Sequence, residues 1–122
     1  NTEGFSVVLP KKHHYSDVMQ MEPDALSSCI LAAQKAAEML RNTFDDVGRV
    51  GVLMEGTGIN HAHIKLAPMH HTEVLQEKGF KAYTDTKECW FDRYPGWISS
   101  ADGPLADTEQ LEQLAQKIKR SQ

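Results

Sequence analysis

The chain has 122 residues, 40% of them hydrophobic and 25% charged, with a formal net charge of −4. That composition fits one modest core, and the acidic balance excludes a broad nucleic-acid surface, which needs many uncompensated Lys and Arg side chains. No apolar run reaches the roughly 20 residues that cross a bilayer, and Cys29 and Cys89 lack the spacing of a zinc knuckle or redox pair, so a reducing, cytoplasmic setting is expected.

In chain order, Phe5 to Leu9 reads as a strand stopped by Pro10, with Lys11, Lys12, His13 and His14 opening a polar loop. A helix is predicted from Asp24 to Asn42. Pro23 stands where a helix start tolerates proline, and Leu26, Cys29, Ile30, Ala33, Ala36, Ala37 and Leu40 recur at spacings of three and four. Arg49 to Met54 and Asn60 to Ala67 are the next strands. Only a short loop with the glycine turn Glu55-Gly56-Thr57-Gly58 joins them, which makes them adjacent and antiparallel.

Beyond Pro68 the pattern weakens. Thr72 to Lys78 reads as a short helical turn, and Trp90 to Ile98 concentrates aromatics around Pro95-Gly96, a cluster expected to pack against the domain. Asp107 with Gln110 makes a cap-like start for a helix running to Arg120, on which Leu111, Leu114 and Ile118 share one face. The expected fold is α+β, as a single domain over residues 1–122.

The chemistry concentrates in His61-Ala62-His63-Ile64-Lys65-Leu66-Ala67-Pro68. Side chains on a strand alternate, so Ala62, Ile64 and Leu66 turn to one face. His61, His63 and Lys65 then share the other at intervals of about 7 Å, close enough to converge on one phosphate. Thr57 and nearby backbone amides can add donors, and Asn60 either joins them or steadies the turn. A His-x-His pair is nonetheless a weak signal, and on pattern alone an imidazole that merely hydrogen-bonds on a strand is the better reading.

Two adjacent histidine pairs, His13-His14 and His70-His71, raise a metal hypothesis. Adjacent histidines on a strand point opposite ways and no carboxylate lies at a telling interval, so the expectation is no metal site. His70 and His71 read as a polar loop at the pocket rim.

Strand, glycine turn and histidine strand together resemble the histidine triad family, in which His-φ-His-φ-His-φ-φ lies on a strand reached through a glycine-containing loop. Gly4 to His14 is similar to the family's Gly-His-x-Leu-Val-Ile-Pro-Lys-x-His segment, and Pro23 to Phe44 supplies the long helix between them. These segments cover about half the chain. Lys65 replaces the third histidine, keeping the charge but not imidazole's two-sided hydrogen bonding. Phe5 stands where the family often has histidine, Met54 lies near a place often held by a polar amide, and the glycine loop is shorter.

The resemblance implies an antiparallel sheet with the long helix packed on it and a C-terminal helix. Gly4 to Leu9 match the family's third strand, so the first strands are expected to be missing, as in a fragment with about three strands. It also implies a nucleotide hydrolase or transferase acting at the α-phosphate of a purine nucleotide or nucleotide conjugate. His63 would be the nucleophile, His61 its support and Lys65 the phosphate-binding cation, with no dissociable cofactor. A homodimer paired through the long helix and an edge strand is implied, without nucleic-acid polymer or membrane. The alternatives are a nucleotide-binding module without turnover and a histidine metal-binding protein.

Overall fold

Three short strands, β1 (Ser6–Val8), β2 (Arg49–Leu53) and β3 (Ile64–Met69), make one antiparallel sheet in the order β1-β3-β2. The computed structural model describes residues 2–76, 93, 94, 96, 98 and 105–120, and the chain divides into two units, 1–83 and 84–122. The architecture is α+β, as expected.

β3 is central because its alternation gives it a fully apolar side. Ala62, Ile64 and Leu66 are buried on that side, the Ile64 and Leu66 side chains contributing about 1.5–3 kcal/mol each. Helix α1 (Pro23–Thr43) covers it with Cys29 and Ala33, joined by Val18 and Met21. The helix is one residue longer at each end than predicted, with Pro23 in its first turn and the Phe44 N–H closing on the Leu40 carbonyl at 3.1 Å. Ile30 departs from the expected stripe. It lies at the stripe's edge, rotated from the line of Cys29, Ala33 and Ala36, and is 41% exposed.

β3 begins at Ile64, not at Asn60, and this corrects the sequence reading. β1 pairs only from Ser6 opposite Leu66 to Val8 opposite Ile64, and β2 ends with Leu53 opposite Lys65. Before Ile64 both neighbours have run out, and the Ala62 N–H turns instead to the His14 carbonyl at 2.9 Å. His61 and His63 therefore stand on the segment that enters β3. The alternation of burial continues unbroken through Pro68. Pro68 is tolerated in the middle strand because β1 pairing has ended there, and its carbonyl accepts from the Thr2 hydroxyl at 2.9 Å.

The predicted turn at Thr72 to Lys78 is a 3-10 helix over Glu73–Gln76, with residues 77 and 78 outside the described residues. In the second unit, α2 spans Thr108–Arg120, and the Gln110 N–H donates to Asp107 Oδ1 at 3.0 Å, the cap that the sequence predicts. Cys89 and most of the run from Trp90 to Ile98 lie outside the described residues; within that run Tyr94 and Ile98 are exposed. No helix among the described residues is long and apolar enough to cross a membrane.

Candidate functional site

The polar face of the His61–Lys65 segment opens into a groove of about 330 Å³ lined by Val7, Leu9, Ile59, His61, His63 and Lys65. The three basic side chains expected to share a face do share it, and the groove's other wall is apolar. Val7 stands directly opposite Lys65 in the sheet register, which brings an exposed aliphatic from β1 beside the cation.

Hydrogen bonding fixes the two rings differently. His63 Nδ1 lies 2.8 Å from the His61 carbonyl. A carbonyl only accepts, so Nδ1 carries the proton, and in the neutral ring Nε2 is the basic nitrogen. His61 Nε2 lies 3.1 Å from the Pro10 carbonyl and must donate to it. Its Nδ1 then accepts from His13 Nδ1, 3.4 Å away, the two rings meeting edge to face at 5.2 Å between centroids. His61 thus supports His63 through its backbone carbonyl and is itself tied by its ring to the loop that follows β1. His13 joins the site although 48 residues separate it from His61; local spacing held no sign of that contact.

Lys65 is not a lone cation. Its ammonium is ion-paired with Glu55 Oε1, and that bond, more than any other cause, holds the Glu55 carboxyl below its ordinary range. The other oxygen, Oε2, is buried and has no partner among the described residues. Sequence reading placed Glu55 only in the turn. The register supplies the missing signal: with Leu53 opposite Lys65, residue 55 continues on the same face as Lys65 and His63.

The remaining candidates, Asn60 and Thr57, stand outside the groove lining. Asn60 Oδ1 accepts the Ser16 N–H at 3.2 Å, which makes Asn60 a brace between two loops and not a groove residue. Thr57 is exposed and does not line the groove. Gly56 adopts φ +61°, and a Cβ there would lie 2.4 Å from the Ser16 carbonyl oxygen, so this close approach of two loops requires glycine.

His70 and His71 are not at the groove rim, which corrects the expectation for them. His70 lies beyond the far end of β3, where Nδ1 donates to Asp46 Oδ1 at 3.0 Å and Nε2 to the Glu3 carbonyl at 3.1 Å. With both nitrogens donating, the imidazolium is favoured: the Glu3 carbonyl first, then Asp46, raises the His70 pKa, while the His70 bond lowers that of Asp46. Asp46 also accepts the His71 N–H at 3.2 Å, and His71 takes φ +61°, a conformation rare outside glycine.

No group of three or more His, Cys, Asp or Glu side chains placed to hold a metal occurs among the described residues. No family model, curated protein or solved structure matches the chain.

Proposed function

We propose that the protein binds a purine nucleotide or nucleotide conjugate in the groove and acts as a nucleotidyl hydrolase or transferase at the α-phosphate. The observation that carries this reading is the state of His63, whose protonated Nδ1 is held by the His61 carbonyl so that Nε2 keeps its lone pair. A nucleophile of this kind splits one hard displacement into two easier ones. In the first, Nε2 bonds to phosphorus and the bond to the leaving group breaks, the leaving group taking a proton from solvent. In the second, water adds to phosphorus, the P–N bond breaks, and one proton is released as His63 returns to its starting form. Val7, Leu9 and Ile59 offer apolar surface to the nucleoside, and Lys65 faces the phosphate. A second copy of the chain is proposed as the partner.

The test is a fluorogenic adenosine phosphoramidate given to the wild type and to His63→Ala. Release by the wild type that falls about 10³-fold or more in the variant is the expected result. Hydrolysis unchanged in His63→Ala removes the proposed nucleophile. The pairing of Lys65 with Glu55 favours a second reading, a binding module without turnover. Its signature is equal, near-zero release by both proteins with AMP binding retained.

A further inference from the structure

We propose that Glu55 sets the charge of the ligand that the groove accepts, so that the site selects a phosphorus centre carrying one negative charge, as in a phosphodiester or phosphoramidate, over a doubly charged phosphomonoester. The inference rests on the nucleotide reading above. Among the described residues lining the groove, Lys65 is the only Lys or Arg, and its ammonium is bonded to a carboxylate that does not itself line the groove. The Glu55 side chain is only 17% exposed, and its Oε2 has no donor among the described residues. No other side chain donates to that carboxylate among the described residues, so its negative charge bears on Lys65. A cation and an anion in fixed contact leave the groove end close to neutral. A bound phosphate touching Lys65 then sits within a few ångströms of a half-buried carboxylate, and each additional negative charge on the ligand meets that repulsion, which solvent screens only in part. Glu55 is in this sense a positioning residue: it acts on the ligand through the charge and placement of Lys65.

The experiment compares two ligands that differ by one charge at the same phosphorus. At pH 7.5 AMP is a dianion, because the second ionisation of a phosphate ester lies near pH 6, whereas its methyl ester is a monoanion. Dissociation constants are measured by calorimetry for the wild type and Glu55→Gln. The wild type is expected to bind the methyl ester at least as tightly as AMP, and Glu55→Gln to shift the ratio of the two constants toward AMP by about tenfold or more. A merely structural role for Glu55 would weaken both ligands together and leave the ratio where it was; that outcome overturns the proposal. The wild-type ratio stands even where the variant fails to fold, and AMP binding tenfold more tightly than its ester would overturn the proposal by itself. Should both ligands bind and the ratio stay fixed, only the role of Glu55 falls. If the wild type binds neither ligand, the nucleotide reading falls and this inference with it.

Discussion

β3 has a histidine at each end, and the two differ in how many ring nitrogens the fold has committed. His70, past the C-terminal end, gives one N–H to Asp46 and the other to the Glu3 carbonyl. An imidazole held on both sides by acceptors favours its protonated form, and it ties the N-terminal segment and the loop after α1 to the sheet. His63, before the N-terminal end, commits only Nδ1, to the His61 carbonyl. Its other nitrogen keeps the lone pair that a nucleophile needs. The same side chain is a clasp where two acceptors converge and, in the proposed reaction, a nucleophile where only one does, and the neighbouring acceptors make the choice.

The sharpest way to break this contrast is to remove each ring in turn. His63→Ala is expected to abolish phosphoramidate turnover while leaving the melting temperature nearly unchanged. His70→Gln, roughly 20 Å away along an extended chain, is expected to lower the melting temperature and leave turnover within about threefold. Reversed roles in that pair of assays would refute the comparison. Glycines at the two ends sharpen it further. A Cβ at Gly48 would lie 1.8 Å from the Thr72 carbonyl oxygen, and one at Gly56 2.4 Å from that of Ser16. Each alanine substitution is expected to cost about 1–3 kcal/mol in urea unfolding. Only Gly56→Ala, which pushes on the loop that carries His13 to His61, should weaken AMP binding once stability is accounted for.

The smallest expected effect is on the pH profile. His70 has a raised pKa in the folded protein, so its contribution to stability is complete below the ordinary histidine range, about 6.5, and fades as pH climbs through the raised value. Asp46 has a lowered pKa; its contribution is complete above the ordinary range, about 4, and fades as pH falls through the lowered value. The pair therefore contributes most between about pH 4 and 6.5. Urea midpoints of the wild type minus those of His70→Gln, measured from pH 3 to 9, should peak in that window. A flat difference would show that the clasp carries no charge.

Much of the fold was legible because it depends on periodicity. The spacing of Leu26, Cys29, Ala33, Ala36 and Leu40 marks the buried side of α1, and the alternation from His61 to Pro68 marks which residues face the groove. Asp107 announces its own helix, since a cap is a contact over three residues. The limits of β3 were not legible in the same way. A strand ends where its partners end, and the ends of β1 and β2 are set by Pro10 and by the turn at Gly56, neither of them within the histidine segment.

By itself, then, the sequence determined the period of each element and the face on which His61, His63 and Lys65 lie, because these follow from backbone geometry within a few residues. Only the tertiary structure decided what those side chains meet: His13 beside His61, Glu55 against Lys65, and Asp46 with Glu3 around His70. Partners 10, 24, 48 and 67 residues apart are chosen by strand register and loop packing, which no local pattern encodes.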